Sequence, residues 1–135
     1  MSRGQAHPPA GTRIPAGQPD PVEQAIRHFD MIDAGDPEAM VMLFESDAVY
    51  LRPGYQPLVG RAEILRFYTA LRPIREGRHT LETVIASHGQ VAVRGGFSGR
   101  LKNGQPIDLR FSDFFVVSAT GRFSLRETFF FAPLA

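Results

Sequence analysis

The chain has 135 residues, a formal net charge of +1, 43% hydrophobic residues and no cysteine. That length suits one domain with one core, and the missing cysteines exclude disulfides, thiolate metal sites and a cysteine nucleophile. A charge so near zero gives no electrostatic reason to expect nucleic acid or an anionic membrane as partner.

Residues 1–19 are rich in Pro and Gly and show no hydrophobic period. They are expected to form a flexible arm, since they bury too little to offset their ordering entropy. Neither a charged-then-apolar leader nor a run of about eighteen apolar residues occurs, so the protein is expected to be cytoplasmic. One α+β domain is predicted over residues 20–135. Asp20-Pro21-Val22-Glu23 combines an N-cap acceptor, Pro at the first helical position and an acidic first turn. Val22, Ala25, Ile26, Phe29 and Ile32 then keep helical spacing as far as Ala34-Gly35. Asp36-Pro37-Glu38 repeats the start signal, and Ala39, Met40, Leu43 and Phe44 line a second short helix.

Asp47 to Arg52 reads as a strand and Pro53 to Pro57 as a loop. Gly60 to Leu71 is predicted as a third helix with Ile64, Phe67, Tyr68 and Leu71 on one face. Strands follow over about 80–87, 90–102, 106–117 and 122–132, joined by turns at His88-Gly89, Asn103-Gly104 and Ala119-Thr120-Gly121. The expected architecture is a cone: a curved antiparallel sheet with three helices packed on its concave face.

A period of two puts Leu109, Phe111, Asp113, Phe115 and Val117 on one face of their strand. It likewise puts Phe123, Leu125, Glu127, Phe129 and Phe131 on one face of the next. A three-residue loop at Ala119-Thr120-Gly121 sets Asp113 directly opposite Glu127; a four-residue loop would put them on opposite faces. A two-residue loop at Asn103-Gly104 sets Arg94 opposite Asp113, unless a bulge at Gly95-Gly96 turns it away. Two carboxylates side by side in apolar surroundings push one pKa up, so Asp113 and Glu127 are the predicted acid/base pair. Tyr68 and His28 are the candidate hydrogen-bond donors, Arg52 and Arg94 the candidate anion anchors, and Phe111, Phe115 and Phe129 the apolar walls. The alternative is a structural polar network with a core tyrosine. His7, His28, His79 and His88 lack metal-ligand spacing, and no phosphate loop, dinucleotide fingerprint or nucleophile elbow occurs. No metal or other cofactor is therefore expected.

Three stretches carry a family resemblance: Ala34-Gly35-Asp36 after the first helix, Gly60-Arg61-Ala62-Glu63-Ile64 opening the third, and Phe111-Ser112-Asp113-Phe114-Phe115 ahead of Gly121-Arg122. Their order resembles the nuclear transport factor two-like superfamily, nearest its ketosteroid isomerases and SnoaL-like polyketide cyclases, over roughly Asp20 to Phe131. The resemblance implies that Asp113 stands where the isomerase has its oxyanion-hole acid, and Tyr68 where it has a supporting tyrosine. His28 replaces the oxyanion-hole tyrosine and Arg52 the proton-shuttling aspartate, which makes the usual steroid isomerisation improbable. Limonene-epoxide hydrolases of the same fold use an arginine with two acids; their last-strand acid resembles Glu127, and their other one falls at Gly96. The expected function is a cofactor-free acid/base isomerase, cyclase or epoxide hydrolase on a small hydrophobic substrate. The alternative is a ligand-binding module that turns nothing over. Phe114, Val116 and Phe130 are expected on the outer sheet face, where they point to a homodimer.

Overall fold

The computed structural model describes residues 17–131. The predicted arm thus lies almost wholly outside the described residues, as do residues 132–135 at the end of the predicted last strand. Helix α1 spans Pro21–Asp33, and the Asp20 carboxylate accepts the Val22 N–H at 3.0 Å. Gly35, at φ +73, turns the chain into Asp36, whose carboxylate accepts the Ala39 N–H at 3.2 Å and caps α2, Pro37–Val41. The second helix is shorter than predicted, because Phe44 already begins strand β1, Phe44–Leu51. A two-residue strand, β2 (Leu58–Val59), pairs antiparallel with β1 between the predicted loop and the third helix, where no element was expected.

Helix α3, Arg61–Arg66, widens into a turn over Phe67–Leu71, closed by the Arg72 N–H on the Phe67 carbonyl at 2.7 Å. Such an i to i−5 closure adds a residue to the turn and rotates the side chains beyond it. Phe67 stays buried, but Leu71, predicted on the apolar face, is left exposed. The long strands are β3 (Ile74–Ser87), β4 (Gln90–Leu101), β5 (Pro106–Val117) and β6 (Phe123–Phe130). The sheet order is β2-β1-β6-β5-β4-β3, antiparallel throughout except where β1 runs parallel to β6. It is a curved, unclosed sheet with the three helices over its concave face. Between them lies one core built around Phe29, Phe44, Phe67, Phe115 and Phe123.

Two registers decide the site. At Asn103-Gly104 the Leu101 N–H bonds the Gln105 carbonyl at 2.8 Å, so the loop holds three residues instead of the predicted two. Val93, not Arg94, consequently opposes Asp113. At the β5–β6 turn the predicted three-residue loop is present: the Ser118 N–H bonds the Arg122 carbonyl at 2.8 Å, and Val117 faces Phe123. One step further the register slips. Val116 faces Leu125, leaving Ser124 as a bulge, and from there Asp113 faces Thr128 while Glu127 faces Phe114.

Candidate functional site

That single bulge overturns the predicted carboxylate pair. It turns Arg126, Thr128 and Phe130 inward and Leu125, Glu127 and Phe129 outward, since one residue of slip exchanges the faces of a strand. Glu127 is therefore half-buried on the far side of the sheet from Asp113. Phe129, predicted as a pocket wall, is 47% exposed and meets Phe114 edge-on at 5.9 Å; Phe130, predicted outside, lies within. Arg94 is exposed on the outer face and donates to Thr83 Oγ1 at 3.1 Å. The bulge has a packing cause. Phe123 is held against Phe115 at 4.5 Å and Phe44 at 5.3 Å, while Arg126 is drawn inward by Asp113. Residues three apart share a strand face only if one between them is extruded.

Arg126 is the centre of the site. It is 3% exposed, and its Nε and Nη2 donate to the same oxygen of fully buried Asp113, Oδ2, at 3.0 and 2.8 Å. Its Nη1 donates to the Tyr68 hydroxyl at 2.6 Å and lies 3.3 Å from His28 Nε2, and the guanidinium rests on the Tyr50 ring at 4.4 Å. Burial works to lower the Arg126 pKa, but Asp113 and the two tyrosines outweigh it and raise it. Asp113 Oδ1 has no partner among the described residues.

His28 is sealed among Phe29, Phe44, Phe115 and Phe123. Burial, then the charges of Arg126 and His79, push its pKa well below 6.5, so it is a neutral acceptor for Arg126 instead of a donor to a ligand. Phe115 belongs to the same sealed layer, with no exposed surface. Tyr50 is buried too, its hydroxyl 3.0 Å from Thr128 Oγ1 and accepting from Arg52 Nη1 at 3.0 Å.

Above this layer opens a narrow cleft of about 20 Å³, room for one water. Arg52, Tyr68, Arg72, His79, Arg126 and Thr128 supply its polar lining; Phe97, Phe111 and Phe130 are among its apolar walls. Of the predicted residues it thus gathers Tyr68, Arg52 and Phe111, and leaves Asp113, His28 and Phe115 behind it. A neighbouring hollow of about 300 Å³ shares Tyr68, Arg72 and Ile74 with the cleft. A larger groove of about 440 Å³ at the far end of the sheet, lined in part by Pro19, Val84 and Val117, holds none of these buried polar groups.

His79 also lines the cleft, and no local pattern in the sequence marks it. Its Nδ1 lies 2.6 Å from Asp33 Oδ1, and its backbone N–H donates to Asp33 Oδ2 at 2.8 Å. Burial lowers the His79 pKa against the raising effect of Asp33, which leaves a neutral ring with Nδ1–H on the carboxylate. Nε2 makes no hydrogen bond among the described residues. Across the polar lining, burial alone would raise the Tyr68 pKa, but Arg126, Arg72 and Arg52 together lower it. Tyr50 moves the other way, pushed up to about 12, mainly by burial. An alkaline spectrophotometric titration is expected to show a first tyrosine ionising below 10 and a last one near 12. Tyr68→Phe should delete the first step; a first step that survives the substitution would refute the assignment.

Comparison with known proteins agrees with this architecture. A structure of SalBIII, described as an epoxide hydrolase/cyclase-like enzyme in pyran ring formation in the polyether salinomycin, superposes with TM-score 0.73 at 19% identity. The match covers 82% of this chain and 90% of that one. A putative SnoaL-like polyketide cyclase from Jannaschia sp. CCS1 gives 0.75 at 17% identity, covering 87% and 89%. A hypothetical protein with a ketosteroid isomerase-like fold from Catenulispora acidiphila DSM 44928, solved with trimethylamine, gives 0.72 at 14%, covering 79% and 84%. At such identities the likeness concerns the fold. No curated protein matches significantly. The SnoaL-like domain model matches residues 25–125, which takes in most of α1, the cleft lining up to β6 and the Asp113 strand. The chain belongs to the SnoaL-like domain family.

Proposed function

We propose that the protein is a cofactor-independent acid/base enzyme that moves a proton next to a carbonyl group, in the manner of an isomerase or cyclase. The carrying observation is that a histidine oriented by a carboxylate and a tyrosine acidified by a guanidinium line one cleft. His79 Nε2 takes a proton from carbon, and the electron pair moves onto the carbonyl oxygen. Arg126 and Tyr68 stabilise that oxyanion. Because the Tyr68 oxygen accepts from Arg126, its own O–H hydrogen is left for the ligand. The proton then returns at another carbon, or the enolate carbon attacks a second carbonyl, closing a ring whose new alkoxide takes the proton back from His79. Asp113 is a positioning residue that aims Arg126 from behind. With Glu127 outside, an arginine between two acids is not assembled, so the epoxide-hydrolase reading falls behind.

The test is exchange of C–H for C–D in heavy water, followed by proton NMR on β-tetralone and levulinate. Saturable acceleration over buffer is expected. A second reading, a non-catalytic binding module, is favoured by the absence of Asp and Glu from the cleft lining; binding of either ketone without exchange would establish it and overturn the first.

The outer sheet face bears on assembly. Ile85, Ala92 and Phe114 form one cross-strand row, and Phe129 lies against Phe114. Ile85 is 61% exposed and Phe114 47%. Contiguous apolar surface of this kind marks a contact face, and we propose that two copies meet there. Sedimentation should give a dimer at micromolar concentration that Phe114→Asp dissociates; a monomeric parent protein refutes it.

A further inference from the structure

Cation and anion do not balance in the cleft. Three guanidinium groups line it, and no aspartate or glutamate does. Arg126 is matched by Asp113 behind it, but Arg52 and Arg72 have no carboxylate within 4.0 Å among the described residues. Each is held in place by aromatic faces: Arg52 lies over Phe67 at 5.0 Å and Phe130 at 5.1 Å, and Arg72 over Tyr68 at 5.1 Å and Phe97 at 5.8 Å. Stacking fixes the plane of a guanidinium and leaves its N–H edge open, the geometry that takes a carboxylate. On Arg52, Nη1 is engaged by the Tyr50 hydroxyl at 3.0 Å, and its other N–H groups make no hydrogen bond among the described residues. Arg72 Nε is buried with no partner among the described residues, an unsatisfied donor of the kind that native structures rarely keep. Burial, and after it the charges of Arg52 and Arg126, lower the Arg72 pKa against the raising effect of Tyr68. A bound anion would relieve both burdens.

We infer that Arg52 and Arg72 form a carboxylate subsite, so that the substrate is a small keto acid: its carboxylate on these two arginines, its ketone oxygen at Tyr68 and Arg126. The apolar walls Phe97, Phe111 and Phe130 favour an organic acid over an inorganic oxyanion. Arg72 also lines the neighbouring hollow of about 300 Å³, so a ligand held on its N–H edge can extend from the cleft into that space. Naming the substrate class rests on the acid/base reading, but the binding site does not.

The experiment compares binding of levulinate and of its uncharged methyl ester by titration calorimetry, with inorganic phosphate as competitor. The acid should bind at least about tenfold more tightly than the ester, a preference that raised salt weakens. Arg52→Gln and Arg72→Gln should each abolish the preference, and Arg72→Lys should keep part of it. Equal affinity for acid and ester, no binding of either, a preference intact in both Gln variants, or phosphate competing as well as levulinate would each overturn the inference. The acid-versus-ester comparison on the parent protein stands even where a variant fails to fold. Acid preference without C–H exchange would sink only the enzyme reading; exchange with no acid preference would sink only the subsite.

Discussion

Asp113→Ala is expected to lower the unfolding free energy by about 3–5 kcal/mol, the usual cost of removing one partner from a buried ion pair. The side chains of Arg126 and Asp113 are 4% and 0% exposed, so water cannot replace the lost partner. Two charge-assisted hydrogen bonds vanish while the guanidinium stays in the core. Asp113→Asn keeps an acceptor for Nε and Nη2 and should cost less. Joint replacement, Asp113→Leu with Arg126→Met, should recover most of the loss, because well-packed apolar residues avoid the desolvation of two charges. Urea unfolding with unchanged slope measures all three. A single Asp113→Ala loss under about 1 kcal/mol, the range of an exposed pair, would mean that water reaches the Asp113 side of Arg126 and that this layer is not sealed.

The same pair explains why the fold was more legible than the site. Start signals at Asp20-Pro21 and Asp36-Pro37, and the Gly121 turn with its positive φ, are local chemistry, and they place the starts of α1 and α2 and the β5–β6 turn correctly. Ser124 carries no local mark of a bulge. It is extruded because Phe123 and Arg126 must both face inward, a demand made by Phe115, Phe44 and Asp113 from other elements. The Asn103-Gly104 signal was real but its loop held one residue more than the shortest choice, enough to send Arg94 outward. His79 and Asp33 are 46 residues apart, joined only when the end of α1 meets β3. The site's parts were visible as residue types, while their faces depended on two single-residue register choices.

If His79 is the base, His79→Gln should cut the exchange rate by about 10²–10⁴-fold, the usual worth of a positioned proton acceptor. Tyr68→Phe should cost about 10²–10³-fold, as loss of one oxyanion donor does. The pH profile separates chemistry from structure. Exchange needs His79 neutral and Tyr68 protonated, so the rate should rise with pH through a histidine pKa below 6.5 and fall again through a tyrosine pKa below 10. Asp33 raises the His79 pKa through its hydrogen bond and its charge. Asp33→Asn should therefore shift the acid limb to lower pH, and also lower the plateau by weakening the base and loosening its tautomer. A structural Asp33 would change the amount of folded protein and leave that limb where it was. An acid limb that stays fixed in Asp33→Asn, or a His79→Gln variant exchanging at the parent rate, assigns the proton transfer to another group.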